Sequence, residues 1–515
     1  MECIKPLSRK KVKKLHIHYL YYNKKLNQIK AASNTTMKPI KYLMMGALLI
    51  GFSSAAVAQD GTAADVAAVK QLIKSKPADL VKQMKPFYSK NKKNAENLVA
   101  FGRAFFEAND TANAKDAANR ALTATKRQYA PAYLLLGDVA VLGDDGGLAA
   151  QNYEMAIHFD PKAPDAYRKY ANVYRKIDPT GAVAKLEELR QQRPDYPVDA
   201  LIGHINYLSL RYGSAIEAYE RVPMAQMQKM DFIEYSFSNY FAKRYAKALE
   251  VAEAGLAKEP NNATLTRLAM FSSTETEKYA DAIRYADILF NQLNKDSVNL
   301  SEMDYLNYGN ALSGNKQFEE AIKQYQAGIT LVKDDKNAQA DLYRAISDAY
   351  KELEDYPNSI DNYKKYLDLG TGVSANDFAS LGSLAMRYAR SQEGDAQTAA
   401  FQKADQIWTE FIEKYPKQEA YGLFQRAMAN ASMDADMSKA QAKPYFDQLI
   451  QKITTSGEEL DEQDKTFLVT AYRYMMSYNY QVLKDKKAAL DYATKMLELK
   501  PDDEGIRQAV ESLSK

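Results

Sequence analysis

The sequence predicts an all-α chain wound as a solenoid of tandem helix-turn-helix repeats. Three observations predict it. One alanine recurs at Ala114, Ala149, Ala182, Ala215, Ala248, Ala282 and Ala321, in steps of 35, 33, 33, 33, 34 and 39 residues. Apolar residues follow it at spacings of four and seven, which keeps one helical face apolar. Proline and glycine are sparse, 16 and 22 in 515 residues, and no domain rich in strand-like alternation is found.

Taken in order, residues 1–36 carry nine Lys/Arg against a single acid, Glu2, and read as an upstream over-extension of the reading frame. Residues 37–58 read as a signal peptide. Lys38 and Lys41 form a basic start, Leu43 to Phe52 an apolar run, and Ala56-Val57-Ala58 a small-x-small cleavage site before Gln59. The apolar run is short for a spanning helix, so no integral span is expected once the segment is removed. No cysteine stands at the cleavage site, and the one cysteine, Cys3, precedes it, so neither a lipid anchor nor a disulfide is expected. The expected destination is the periplasm, including peripheral association with the outer membrane.

Residues 59–94 read as an N-terminal helical cap, because a terminal unit must cover an apolar face that has no further neighbour. Residues 95–370 hold about eight repeats and residues 371–503 about three looser ones, eleven in all. Residues 504–515 close the array with a capping helix. Twelve residues before the recurrent alanine stand Gly102, Gly137, Gly203, Ser236 and Gly309, and Ser347 where Ser359 takes the alanine's place. Small residues there let the two helices of a unit approach closely. Four residues after it stand Tyr153, Leu186, Tyr219, Tyr325 and Tyr363; twelve after it stand Pro161, Pro194 and Pro260. Proline cannot donate within a helix and so marks its end. Ala404, Trp408, Phe411 and Pro416 fit the second helix of a unit begun near Ala375, with about ten extra residues expected between its helices. The weaker match after Thr371 is expected to mark a bend.

The unit Ala130 to Ala163, with Tyr133, Leu136-Gly137, Ala149, Tyr153, Ala156 and Pro161, resembles the tetratricopeptide repeat; so does the unit from Glu302, with Tyr305, Tyr308-Gly309, Phe318, Ala321 and Tyr325. The resemblance covers most of the chain beyond residue 94. It implies a right-handed superhelical solenoid in which the first helix of each unit faces a concave groove that contacts peptides or partner helices. By offset, the groove residues so implied are Arg168, Asn172 and Arg175; Phe237 and Tyr240; Arg344 and Asp348; and Tyr474 and Tyr478. Arg168 and Asn172 resemble half of the carboxylate clamp some family members use on a partner's C-terminus. The other half is missing, since Leu201, Ile202 and Ile205 stand where the next unit should supply it.

Catalysis is not expected. Beyond the leader the only histidines are His158 and His204, each in a predicted helix without a second ligand one turn away, so no zinc site, catalytic triad, metal or cofactor is read. Asp434-Ala-Asp436 lacks the central glycine and closing glutamate of a calcium loop and reads as a solvated turn. The net charge of +3 conceals an acidic body: beyond residue 58 remain 58 of the 69 Lys/Arg and 65 of the 66 Asp/Glu, which argues against a nucleic-acid surface. The expected function is that of a scaffold or adaptor that binds envelope proteins. The alternative is an envelope glycan binder, which requires tyrosines outside the core offsets to cluster on one surface.

Overall fold

The computed structural model describes residues 60–293 and 298–515; the leader, signal peptide and cleavage site expected in residues 1–58 lie outside the described residues. The described residues form 25 α-helices and no strand. They are α1 (Asp60–Ser75), α2 (Leu80–Lys90), α3 (Ala95–Glu107), α4 (Thr111–Ala124), α5 (Ala130–Leu142), α6 (Gly146–Phe159), α7 (Pro164–Tyr174), α8 (Pro179–Gln192), α9 (Val198–Leu208), α10 (Tyr212–Tyr219), α11 (Lys229–Phe241), α12 (Tyr245–Lys258) and α13 (Ala263–Glu275). There follow α14 (Tyr279–Asp287), α15 (Glu302–Gly314), α16 (Phe318–Leu331), α17 (Lys336–Glu352), α18 (Tyr356–Leu369), α19 (Ala375–Arg390), α20 (Gly394–Lys414), α21 (Glu419–Met433), α22 (Lys443–Thr454), α23 (Glu462–Tyr478), α24 (Lys486–Leu499) and α25 (Glu504–Ser514). From α3 to α24, odd-numbered helices open a repeat and even-numbered helices close it. Two compact units result, one ending at Ser272 and one beginning at Ser273, and the boundary falls inside α13. No helix among the described residues is long and apolar enough to cross a membrane.

Packing of the pairs follows from the recurrent small residues. Ala114, Ala149, Ala182, Ala215 and Ala248 in the first unit are all wholly buried, as are Ala282, Ala321, Ser359, Ala404, Ala442 and Ala489 in the second. In three repeats a tyrosine of the second helix lies over a glycine of the first. A methyl group on Gly137, Gly203 or Gly309 would come within 2.3 Å of Tyr153, 2.7 Å of Tyr219 or 2.2 Å of Tyr325. Where serine replaces the glycine, its hydroxyl joins the helices instead. Ser236 Oγ donates to the Ala248 carbonyl at 2.8 Å, and Ser347 Oγ to the Ser359 carbonyl at 2.7 Å. Under a tyrosine, close packing of this kind leaves no room for an added carbon, so those three positions admit only glycine without repacking.

The turn inside most repeats has one geometry. The residues Asn109, Asp144, Leu210, Lys243, Glu277, Lys316 and Glu354 all have φ between 57° and 62°. The next amide reaches back to close the first helix, as from Asp110 to Phe105 O at 2.9 Å and from Arg244 to Asn239 O at 2.8 Å. This satisfies carbonyls left open at a helix end. Where aspartate follows, it caps the second helix: Asp110, Asp145 and Asp355 accept the amides of Asn113, Leu148 and Asn358. Six helices end two residues before a proline, namely at Ser75, Phe159, Gln192, Lys258, Lys414 and Leu499.

Two expectations are corrected. The extra residues near 400 do not lie between helices. They lengthen α20 to 21 residues, against 14 in α16 and α18, and Trp408 takes the tyrosine's role over Gly382. Across the turn at Thr371 one apolar cluster joins Tyr363, Tyr366 and Leu367 to Phe378 and Leu381, where α18 and α19 pack directly. Asp434 is not solvated but buried, and it accepts the amides of Lys439 and Gln441, each at 3.1 Å, which fixes the turn before α22.

Candidate protein-binding surface

In the first unit the opening helices are joined to one another by side chains. Asp138 on α5 is buried and receives Arg103 from α3. Lys169 Nζ from α7 lies 2.7 Å from both Asp138 oxygens, and the Tyr153 hydroxyl donates to Oδ1 at 2.8 Å. Arg175 on the same helix reaches the Leu208 carbonyl of α9 at 3.5 Å, and burial lowers the pKa of its guanidinium against the opposing pull of Glu234. His204 Nδ1 on α9 is 2.9 Å from both oxygens of Glu234 on α11, and the Tyr219 hydroxyl donates to Glu234 Oε2 at 2.6 Å. Glu234 is 3% exposed, so its charge depends on these partners. Buried pairs of this kind fix register between elements more than they add stability. Together these contacts link five successive repeats.

Beside this ladder runs a row of aromatic rings. Tyr212 stacks on Phe241 at 5.1 Å, and Phe241 on Phe237 at 5.8 Å. Tyr207 approaches Tyr212 and Phe237 at 6.4 and 6.5 Å. Tyr240 meets Phe241, Tyr245 and Phe271 at 5.9, 5.3 and 6.1 Å. Phe237 and Phe271 are buried beneath the row. Tyr207, Tyr212, Tyr240, Phe241 and Tyr245 are half-buried, and Leu210, between the first two, is 43% exposed. The row therefore presents part of each ring at the surface while the remainder is held by neighbours.

Paired helices at this period, a buried alanine column and a ring laid over a glycine together decide the architecture. This is the tetratricopeptide-repeat fold. No known family and no curated protein matches the sequence. Solved structures similar to it include the C-terminal part of a tetratricopeptide-repeat protein from Cytophaga hutchinsonii, at 24% identity over 54% of this chain and 99% of that one, with a TM-score of 0.42. A tetratricopeptide-repeat protein from Parabacteroides merdae matches at 13% identity over 48% and 97%, with a TM-score of 0.33. PilW, a type IV pilus biogenesis factor, matches at 15% identity over 39% and 96%, also with a TM-score of 0.33.

The tetratricopeptide array places the residues read by offset as follows. Phe237 and Tyr474 are buried at 6% and 8% exposure and serve packing, so neither ring is offered to a partner. Tyr474 lies 4.8 Å from Phe446 and parallel to the half-buried Tyr478 at 6.4 Å, and burial pushes its phenol up to about 12. Tyr240 belongs to the aromatic row. Arg168 pairs with Asp165 on its own helix, Asn172 is half-buried one turn on, and the neighbouring Lys169 reaches Asp138; these are ordinary helix-surface and register contacts. Arg344 and Asp348 are exposed, but Asp348 pairs with Lys351, while Arg344 lies over the Tyr366 ring and 3.9 Å from Asp377. Sequence reasoning missed Asp138, Glu234, Phe241 and Tyr245. Asp138 and Glu234 gave no local signal, whereas Tyr212 and Tyr245 stand at one repeat offset, 33 residues apart, and were open to being found together. Among the described residues no group of three or more His, Cys, Asp or Glu is placed to hold a metal ion.

Proposed function

We propose that this protein is a periplasmic scaffold that binds other envelope proteins through the surface where opening helices α9 and α11 turn into α10 and α12. The observation that carries the reading is the row Tyr207, Tyr212, Tyr240, Phe241 and Tyr245, half-exposed and held on a framework with fixed register. Half-buried aromatics with few free rotamers lose little entropy when a partner covers them, and they are the residues that most often dominate protein interfaces. The ladder beneath contributes positioning rather than chemistry. Tyr240 and Tyr245 are the positions at which to place a photo-crosslinking residue in the exported chain. Capture of one or a few stoichiometric envelope proteins there, and not from Lys333 in the turn after α16, supports the reading. A chain recovered alone from both positions overturns it.

The same row supports the second reading, an envelope glycan binder, since sugar faces stack on exposed rings. Retention of the chain by isolated envelope polysaccharide, lost on Tyr240→Ala, would favour that alternative over a protein partner.

A further inference from the structure

We infer that the outer face of α1 and α2, with the turn into α3, is a docking surface for an anionic phospholipid bilayer. Residues 60–94 hold eight lysines, Lys70, Lys74, Lys76, Lys82, Lys85, Lys90, Lys92 and Lys93, against three acids, Asp60, Asp65 and Asp79; from residue 95 onward the chain reverses sign, with 50 Lys/Arg against 62 Asp/Glu. All eight lysines are exposed. Among the described residues only Lys90 of the eight has an ion partner, Asp65 at 2.8 Å. Lys90, Lys92 and Lys93 line an open depression with Asn94 and Ala95.

Some lysines further along the array are paired locally. Lys185, Lys247, Lys351, Lys465 and Lys495 each meet an acid three or four residues away on the same helix. On α1 and α2 that pattern is inverted. Lys70 and Lys74 share one face a turn apart, as do Lys82 and Lys85, and like charges so placed weaken a helix. Favourable interaction with a helix C-terminus accounts for Lys74 and Lys90. It does not account for Lys70, Lys82 or Lys85. The apolar side of the pair is already spent: Val69, Ile73 and Met84 are buried against the array, so what faces outward is charge, with Val81 66% exposed among it.

A bilayer is favoured over an acidic protein by the position of this pair in the chain. α1 begins two residues after Ala58, the end of the apolar segment that carries the chain to a membrane. These are the first folded elements on the far side of that membrane. Lysines beside an anionic bilayer each add several-fold to partitioning, and the attraction decays within a Debye length. The inference shares with the proposed function only the export read from residues 37–58.

The test uses the chain as the cell processes it after export, its N-terminus read by mass spectrometry. It is pelleted with phosphatidylcholine vesicles with and without phosphatidylglycerol. Pelleting with the anionic vesicles alone, abolished by high salt, is the expected result. Charge reversal at Lys70, Lys74, Lys82, Lys85, Lys92 and Lys93 should reduce it by at least about tenfold. A charge-matched variant reversed at Lys323, Lys333, Lys364, Lys403, Lys417 and Lys487 should retain it. Circular dichroism checks that both variants keep their helices. No binding by the unaltered chain, equal loss in both variants, or undiminished binding by the first variant would each overturn the inference. So would loss of a captured acidic protein rather than of vesicles. Crosslinking at Tyr240 is scored separately, so either proposal can fail alone.

Discussion

At Gly309 a hydrogen atom stands where any other residue would place a carbon 2.2 Å from the ring of Tyr325, whose hydroxyl meets Asn310 Oδ1 at 2.9 Å. Gly309→Ala should therefore cost about 1–3 kcal/mol by overpacking. In a Tyr325→Leu background the same change should cost less, because the ring it strikes is gone. Urea midpoints of the four chains measure this, and equal penalties in both backgrounds would contradict the lock. Single residues also show where reading by offset stops. The alanine column and its glycines were legible because they recur as one residue type in one slot. Phe237 was not, since one of the rings that packs on it, Tyr207 at 6.5 Å, comes from the preceding repeat.

At the scale of the helix, second helices begin in two ways. Those preceded by Asp110, Asp145 or Asp355 have a side-chain cap; α12, preceded by Arg244, has none, although its backbone dihedrals of −88° and 57° are close to the −92° and 79° of Asp110. Arg244→Asp should stabilise the fold by about 1 kcal/mol. The ion pair it removes, with Glu220, is roughly half-exposed on both sides and contributes little. Thermal unfolding measures the gain, and a lower midpoint would show that Arg244 has another role. Helix pairs were legible from period and proline. The contacts between opening helices were not. Arg103, Asp138 and Lys169 stand 35 and 31 residues apart, and nothing local to any of them signals that stacking brings two cations to one carboxylate.

Over the whole molecule tyrosine is the commonest aromatic, 37 residues, and burial is what most affects its ionisation. It pushes the phenols of Tyr88, Tyr170, Tyr308, Tyr366 and Tyr474 up to about 12 from an ordinary value of 10.0. Between those values the folded chain keeps protons that the unfolded chain has lost. Stability from these groups is thus complete below pH 10 and declines as pH rises towards 12. Tyrosinate absorbance and loss of helical circular dichroism should rise together across that window. Tyrosines that ionise near pH 10 with the helices intact would refute this.

The buried alanine has a meaning beyond packing. Ala149, Ala182, Ala215 and Ala248 place the same small, wholly buried side chain at one position of successive repeats, so successive repeats share one packing demand there. An unequal crossover between two such codons removes or duplicates a repeat and leaves every remaining junction of a kind already present. Length, and with it the number of opening helices a partner can touch, is therefore a quantity that inheritance can alter in whole steps without a new interface having to be invented.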